Sequence, residues 1–321
     1  MGKIKFIEVA SELAAGTRGA SLGIGALKTA SLNKGSQFFK KYPCLAVPTI
    51  NDTLFDDVVN PYAKRIPQVR QMLERTCQAV TDTLTEGYFP VVLGGDHSTA
   101  AGTMCGIKAA LPAMRLGVIW IDAHADLHTP FTTPSGNMHG MPLAMVAGLD
   151  NLECAINDPR AETIAEWEAI KNIGLNGPKI NPSDIVFISM RDREAPERAL
   201  VERYGMRNFE VEELRSKGAA RIVEESMQAL QACDVIYVSF DVDSLDPQIS
   251  RGTGTPVPGG LTVEEALELN SLFVKQPKVQ CWEMVEINPT LDTHNQMAEV
   301  AFEILQATVK ARSANGQLIG A

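Results

Sequence analysis

Short apolar runs alternate along the whole chain with longer helical patterns, and this alternation restricts the fold more than any other feature. Most of the runs are continuously apolar, which is typical of strands covered on both faces in a parallel sheet. The predicted strands are Ile4–Val9, Cys44–Ile50, Phe89–Leu93, Leu116–Ile121, Ile185–Met190, Val235–Phe240 and Val279–Val285. The predicted helices are Ile66–Thr85, Thr99–Ala110, Ala161–Ile170, Pro196–Tyr204, Ala219–Ala232, Thr262–Lys275 and Asn295–Ala311. Their order predicts a doubly wound α/β domain.

Local signals refine this outline at three places. Thr262 is followed three residues later by Glu265, which is the spacing of a capping box and predicts a helix start. Residues 149–183 contain a helical stretch flanked by Gly and Pro, and we interpret them as an insertion between strands. The stretch Leu127–Leu149 has no Asp, Glu, Lys or Arg, but it is rich in Thr, Pro, Ser, Gly, Asn and His. It is therefore predicted to be a loop and not a membrane span.

Charge and composition exclude several classes of partner. The net charge is −10 and the pI is about 5.1, which argues against nucleic acid or an anionic membrane as the main partner. No apolar run reaches the ~18 residues of a transmembrane helix. The six cysteines are scattered through apolar segments without a C-x-x-C pair. They predict reduced, buried thiols in a cytoplasmic protein and no disulfide framework.

Three acidic segments follow predicted strands and carry the chemistry of this chain. They are Gly94–Ser98, which contains His97, Asp122–Asp126, which contains His124, and Asp241–Pro247. Because ligands bind at the carboxyl ends of strands in open parallel sheets, these segments are predicted to meet in one crevice. Several carboxylates in one crevice would repel one another, and bound cations would cancel that repulsion.

The spacing of the acidic residues favours two ions over one. Asp241 and Asp243 are predicted to point to one face of a strand. If Asp122, His124 and Asp126 lay on a straight strand they would span about 13 Å, so either the chain bends or the side chains serve two ions. The predicted metal ligands are His97, Asp122, His124, Asp126, Asp241 and Asp243. Because the set has four carboxylates and no thiolate, it favours Mn²⁺ or Mg²⁺ over structural Zn²⁺.

A single Asp-x-Asp pair is more often a capped loop or a solvated turn than a metal site. The metal hypothesis rests on the occurrence of all three segments in one chain. With these segments the sequence resembles the ureohydrolases, a binuclear manganese family that includes arginase, agmatinase and formimidoylglutamase. The match is strongest over residues 91–289, and all six predicted ligands fall on metal positions of the family.

The resemblance implies a three-layer αβα sandwich with a mostly parallel central sheet, built as one domain over residues 1–321. It also implies two Mn²⁺ per subunit and a homo-oligomer, either a trimer or a hexamer. Within the family, arginase is the most similar member, because residues 129–140 resemble its substrate loop. Ser135 and Asn137 would then hold the α-carboxylate of the substrate, and His139 would shuttle protons. Without the resemblance, His139 would be interpreted as a loop residue that hydrogen-bonds the backbone.

Other segments extend the resemblance to the substrate. Arg191–Glu197 is similar to the segment that reaches the α-amino group, which implies contacts from Glu194 and Glu197, although the helical spacing of these two residues alone would indicate a solvated face. Thr255 and Glu286 would line the site, with Glu286 pairing with the guanidinium. His128 occupies a position where arginases usually have Asn as a carboxylate contact, and an imidazole can also donate a hydrogen bond.

The function implied is hydrolysis of the guanidino group of L-arginine to urea and ornithine by a hydroxide that bridges the two metals. Asp126 would accept the proton of the hydroxide and pass it to the leaving amine. The partner is a small cationic guanidino compound. Two alternatives stay open: a sibling ureohydrolase acting on guanidinobutyrate, agmatine or formimidoylglutamate, and a metal-binding protein without catalytic activity.

Overall fold

The structure, a computed structural model, describes residues 3–317 and contains a sheet of eight parallel strands. In chain order the strands are β1 (Ile4–Val9), β2 (Cys44–Ala46), β3 (Phe89–Gly94), β4 (Leu116–Ile121), β5 (Ile180–Ile188), β6 (Arg207–Phe209), β7 (Val235–Asp241) and β8 (Val279–Val285). Their spatial order is β2-β1-β3-β8-β7-β4-β5-β6, with parallel pairing throughout. The carboxyl ends of all the strands therefore lie along one edge of the sheet.

Helices cover both faces of this sheet. They are α1 (Gly23–Asn33), α2 (Ile66–Thr85), α3 (Thr99–Ala110), α4 (Pro142–Ala147), α5 (Ala161–Ile170), α6 (Ala195–Tyr204), α7 (Val211–Lys217), α8 (Ala219–Ala229), α9 (Val263–Phe273) and α10 (Gln296–Gln317). One apolar core packs α1, α8, α9 and α10 against the sheet, and a second packs α2, α3, α4 and α5 against the opposite face. The predicted three-layer sandwich is confirmed.

The strand β4 shows why the apolar runs were continuous. Its Ile119 and Ile121 belong to one core, whereas Val118 and Trp120 belong to the other, and all four side chains are fully buried. Successive side chains of a strand point to opposite faces, so a strand between two helical layers is apolar at every position.

Several elements depart from the predicted boundaries. The strand expected over Cys44–Ile50 ends at Ala46, because Pro48 has no N–H to continue the ladder. The strand expected over Ile185–Met190 starts at Ile180 and ends before Ser189, where φ is +66°. The predicted loop Leu127–Leu149 contains α4 and a short 3₁₀ turn at Met138–Gly140. The elements α1, α7 and β6 were not predicted, since α1 begins with two glycines and β6 has only three residues.

The segment 149–183 holds α5 and the first residues of β5. Two hydrogen bonds to the carboxylate of Asp150 fix the position of this segment. Trp167 Nε1 and Lys171 Nζ each donate to Asp150 Oδ1 at 2.8 Å. That this segment is an insertion, and that residues 1–321 form one domain, stay predictions. Within residues 3–317, no helix is both long enough and apolar enough to cross a membrane.

Candidate functional site

Four neighbouring strands in the middle of the sheet bring the predicted site together. In spatial order these strands are β3, β8, β7 and β4, and at or just after their carboxyl ends they carry His97, Glu286, Asp241 and Asp122. All four side chains are buried. Because the strands are parallel, residues from distant parts of the chain meet at one edge, as the sequence predicted.

A first group of ligand atoms forms around the imidazole of His97. Its Nδ1 lies 3.0 Å from Asp122 Oδ2, 3.1 Å from Asp241 Oδ2 and 3.2 Å from Asp126 Oδ2. The ligand atoms of His97, Asp122 and Asp241 all lie within 4.8 Å of one another, a spacing that could hold a metal ion. Imidazole nitrogen and carboxylate oxygen are ordinary ligands of divalent first-row metals.

A second group shares one carboxylate with the first. The ligand atoms of Asp122, His124 and Asp243 also lie within 4.8 Å of one another. His124 Nδ1 is 3.0 Å from Asp243 Oδ2 and 3.4 Å from Asp122 Oδ1. The two carboxylate oxygens of Asp122 thus face different histidines, and this side chain could bridge two ions.

The backbone at these ligands is irregular. Asp241 is the last residue of β7, but Asp243 lies in a 3₁₀ turn over Val242–Ser244, so the prediction that both lie on one strand face was wrong. The turn closes because Asp243 N donates to Asp241 Oδ1 at 2.7 Å. At Asp126 the chain adopts φ of +50°, a left-handed conformation that Asp tolerates better than most residues. This confirms the bend that the spacing of residues 122–126 suggested.

The charges of the ligand cluster are strongly coupled. Burial and the Asp122 carboxylate raise the pKa of Asp126 to about 7, and burial and neighbouring carboxylates raise the pKa of Asp241 well above its usual value. Burial would lower the pKa of His97 and of His124, but the surrounding carboxylates raise both well above the usual range. Burial would raise the pKa of Asp122, but the two histidines lower it. Each shift arises from charges held close together away from water.

Two buried atoms of the cluster lie 3.0 Å apart without forming an aligned hydrogen bond, and neither has another hydrogen-bond partner among the described residues. They are His97 Nδ1 and Asp122 Oδ2. A buried polar atom without a partner costs free energy, and a metal ion would satisfy both at once. The chemistry of the donors and these unsatisfied atoms therefore fit a pair of divalent cations.

The ligand cluster lies at the bottom of a cavity of about 250 Å³. Five of the six predicted ligands line it, and Asp122 lies buried. The other predicted site residues also line it, namely His128, Ser135, Asn137, His139, Glu194, Glu197, Thr255 and Glu286. The structure thus brings the whole predicted set to one place.

Glu286 is fixed at the side of the cluster by an unusual backbone conformation. Its φ is +66°, and its amide donates to Gly95 O at 2.8 Å. Its Oε1 accepts from His97 N at 2.9 Å and lies 3.0 Å from His139 Nδ1. Burial would raise the pKa of Glu286, but the facing imidazole lowers it, and the same contact raises the pKa of His139 to about 9 against the effect of burial.

Glu197 lines the cavity, yet both of its oxygens already accept hydrogen bonds. Oε1 accepts from Leu127 N at 3.1 Å, and Oε2 accepts from Glu194 N at 3.0 Å within a capping box at the start of α6. His128 Nε2 lies 3.5 Å from Glu197 Oε2 and 3.6 Å from Glu194 Oε2. Glu197 therefore holds the cavity loop against α6, while its contact with a substrate stays a prediction.

The loop of Ser135 and Asn137 is held by its own hydroxyl groups. Thr133 Oγ1 accepts from Gly136 N at 2.9 Å, and Ser135 Oγ accepts from Asn137 N at 3.2 Å. On the opposite side, Thr255 Oγ1 donates to Asp243 Oδ2 at 3.2 Å. Thr255 thus supports a ligand as well as lining the cavity.

The sequence analysis missed several residues at the site, among them Lys64, Arg191 and the cavity-lining Asp192 and Arg193. Lys64 Nζ donates to Asn137 Oδ1 at 3.0 Å, across 73 positions of sequence, and no local pattern marks it. Arg191 Nη2 donates to the carbonyl oxygens of Asp243 at 2.9 Å and Val257 at 2.7 Å. Arg191 is the first residue of the segment Arg191–Glu197, which the sequence analysis had already singled out for Glu194 and Glu197. Its position in that segment was the available signal.

Comparison with known proteins agrees with this geometry. The family model described as the Arginase family matches residues 3–310. The arginase of Brevibacillus brevis is 33% identical over 316 residues, covering 95% of this chain and 96% of the relative. The arginase of Bacillus subtilis is 37% identical over 234 residues, 73% of each chain. The solved arginase of Bacillus caldovelox superposes with a TM-score of 0.81 at 32% identity, covering 96% of this chain and 98% of its own. The fold, the site and these relatives together show that the chain belongs to the arginase family.

Proposed function

We propose that this hydrolase cleaves the guanidino group of L-arginine to urea and ornithine. The observation that carries the proposal is the pair of ligand groups that share Asp122, with the buried Glu286 carboxylate beside them in one cavity. A carboxylate fixed next to a cation centre suits a substrate whose reacting group is itself a cation.

The proposed cofactor is two Mn²⁺ per subunit. His97, Asp122, Asp126 and Asp241 would hold one ion, and Asp122, His124 and Asp243 would hold the other. Hard carboxylate oxygens outnumber the imidazole nitrogens, and this favours Mn²⁺. When bound, the ions would supply Lewis acidity that makes water a competent nucleophile near neutral pH.

Glu286 is the proposed anchor for the guanidinium. Its Oε1 is held by His97 N and His139 Nδ1, which leaves Oε2 for the substrate. These two contacts hold the carboxylate beside the cluster. Fixing the cation here would place its central carbon in front of the ligands, and orientation of this kind contributes several kcal/mol to a rate.

Asp126 and His139 are the proposed proton carriers. Asp126 Oδ2 lies at the cluster, 3.2 Å from His97 Nδ1, where it can accept a proton from the attacking water and give it to the leaving amine. His139 contacts Glu286 on the cavity wall, and its side chain is 18% exposed. It can therefore pass a proton between the buried site and solvent.

The outer part of the cavity is the proposed site for the amino-acid end of the substrate. Ser135 and Asn137 offer a hydroxyl and an amide to a carboxylate, and Glu194 offers an anion to an ammonium group. His128 lies close to the carboxylates of Glu194 and Glu197. The His128 imidazole could take the place of the substrate ammonium beside these carboxylates, which favours guanidinobutyrate, a compound without that ammonium, as the second candidate substrate.

A urea assay across guanidino compounds tests these proposals. L-arginine, guanidinobutyrate and agmatine would each be tested with Mn²⁺, Co²⁺ and Zn²⁺, and formimidoylglutamate would be followed by formamide release. We expect the highest kcat/KM with L-arginine and Mn²⁺. Turnover of another compound in preference to L-arginine would move the assignment to a sibling ureohydrolase. Metal binding without turnover of any compound would support the non-catalytic alternative.

We also propose a cytoplasmic homo-oligomer, a trimer or a hexamer. Exposed apolar side chains such as Phe55, Val59 and Ile156, which are 95%, 63% and 68% exposed, support an assembly. Sedimentation equilibrium of the purified protein would give the assembly size, and a monomer at micromolar concentration would contradict the proposal.

A further inference from the structure

The guanidinium of Arg191 holds together three segments of backbone beside the ligand cluster. Its Nη2 donates to Asp243 O at 2.9 Å and to Val257 O at 2.7 Å, and its Nε donates to Pro258 O at 3.1 Å. Its Nη1 donates to Ser189 O at 3.0 Å. Every hydrogen bond that this guanidinium makes within residues 3–317 goes to a backbone oxygen.

The backbone of Arg191 is attached to the other ligands of the second group. Arg191 N donates to Ala123 O at 2.9 Å, and Ala123 lies between Asp122 and His124 in the chain. Ala123 N in turn donates to Asp243 Oδ1 at 3.2 Å. Arg191 therefore connects the two pieces of chain that carry Asp122, His124 and Asp243, which together form the second ligand group.

Within that group, Asp243 is the ligand that lies outside the sheet. Asp241 is the last residue of β7 and pairs with β8, so the ladder of the sheet fixes it. Asp243 follows in the 3₁₀ turn, and Thr255 donates to its carboxylate from a separate loop. Val257 belongs to the same loop as Thr255. The guanidinium of Arg191 thus joins the turn that carries Asp243 to the loop that supports its carboxylate.

The charge of Arg191 and its hydrogen bonds should have opposite effects on metal binding. Burial lowers the pKa of this guanidinium and the carboxylates of Asp243 and Asp122 oppose that effect, and an arginine keeps its proton in proteins. A positive charge 2.9 Å from the backbone of a ligand repels a divalent cation. If Arg191 acted through its charge alone, its removal would tighten metal binding. If it holds the turn in place, its removal would weaken metal binding at the second group.

We propose that Arg191 is a positioning residue that holds Asp243 in place for the second ion, the one assigned to Asp122, His124 and Asp243. Its guanidinium hydrogen-bonds no ligand side chain among the described residues, so it acts through the backbone of the turn. The loss of a group that orients a metal ligand commonly reduces metal affinity by about 10- to 100-fold. The inference rests on the proposed two-ion centre.

Calorimetric titration of Mn²⁺ into Arg191→Met tests the proposal, with the electron paramagnetic resonance spectrum of the bound Mn²⁺ as a second measurement. We expect the unaltered protein to bind two ions with the spectrum of an exchange-coupled pair. In Arg191→Met the affinity for one ion should fall about 10- to 100-fold, and the spectrum at limiting Mn²⁺ should become that of an isolated ion. Arg191→Lys keeps the charge but has one nitrogen with which to donate, so its loss should be smaller.

Nitrogen-15 NMR of Zn²⁺-loaded Arg191→Met identifies the weakened group, because Zn²⁺ is diamagnetic and the chain has only five histidines. At limiting Zn²⁺ we expect a metal-bound nitrogen on His97 and none on His124. A loss of the metal-bound signal from His97 alone, or from both histidines equally, would overturn the proposal.

Arg312→Met is the matched control. Arg312 is also a buried arginine that donates to a backbone oxygen, Val274 O at 2.9 Å, but it lies over the ring of Phe89 at the start of β3, at the edge of the sheet opposite the site. We expect it to bind two ions as the unaltered protein does. Unchanged or tighter binding in both Arg191 variants, or an equal loss in Arg312→Met, would overturn the proposal. An unaltered protein that binds only one ion would overturn the two-ion centre and this proposal with it, which is a result distinct from the others.

Discussion

The ammonium of Lys64 donates a hydrogen bond to the side-chain oxygen of Asn137, 3.0 Å away, at the outer part of the cavity. The backbone supports this contact, because Lys64 N also donates to Gly136 O at 2.8 Å. Since Lys64 engages the amide oxygen, the NH₂ group of Asn137 is left to donate. Lys64 therefore orients the Asn137 amide so that its NH₂ group can donate to the substrate carboxylate at the proposed position. The positive charge of Lys64 lies next to that amide.

Replacing Lys64 by Met is expected to raise KM for L-arginine about tenfold, since hydrogen bonds of charged groups are worth about 1.5–3 kcal/mol and part of this is screened. Agmatine, which has no carboxylate, should not lose affinity in this variant. Steady-state kinetics on both compounds measures the difference. Lys40→Met, at an exposed lysine, is the control. An equal rise in KM for both compounds would contradict the assigned role.

Gly136 lets the cavity loop approach the segment of Lys64. Its φ is +75°, and a Cβ atom there would lie 1.8 Å from Pro61 O. A non-glycine residue held in the left-handed conformation costs about 1–3 kcal/mol of stability. Gly136→Ala should lower the free energy of unfolding by more than this, because the added Cβ atom also collides with Pro61 O. Gly205→Ala is the matched control, because Gly205 has φ of +61° and nothing within 4 Å of its Cβ position. Urea unfolding should show a larger loss for Gly136→Ala, and equal losses would refute the close-approach argument.

The sequence predicted the parts of this molecule that depend on periodicity and on strand ends. Apolar-rich runs gave β1, β4 and β8 with their observed boundaries, and β4 is buried at every position. The capping box at Thr262 was also visible locally, and the structure shows both of its hydrogen bonds. Parallel pairing then accounts for the meeting of the acidic segments without any knowledge of the loops.

The remainder depends on contacts between distant residues. Leu127 N and the Glu197 carboxylate are 70 positions apart, so helical spacing could not reveal that this glutamate holds a loop. Asp243 was placed on a strand face, but hydrogen bonding to the Asp241 carboxylate bends the chain into a turn there. Sequence patterns specify element type better than they specify how loops satisfy their polar groups.

Glu286→Gln is expected to lower kcat/KM on L-arginine by at least about 30-fold, because truncating one partner of a buried charge pair costs 2–5 kcal/mol. Metal content should stay near that of the unaltered protein, since Glu286 is not among the proposed ligands. Kinetics together with elemental analysis would separate the two effects. Glu264→Gln, at an exposed position, is the control. Loss of metal in Glu286→Gln would assign this residue to the metal centre instead of the substrate.

Metal binding should release protons, so the metal affinity should depend on pH. The direction of that dependence follows from the pKa shifts of the metal-free cluster. The pKa values of His97 and His124 are raised well above the usual value, and that of Asp126 is raised to about 7, so these groups hold protons near neutral pH. A metal ion competes with those protons, and the apparent affinity must therefore rise as pH rises. Calorimetry of Mn²⁺ binding at pH 7 in two buffers with different ionisation enthalpies measures the release. Equal heats in the two buffers, or an affinity that falls with rising pH, would show that the groups are already deprotonated before the metal binds.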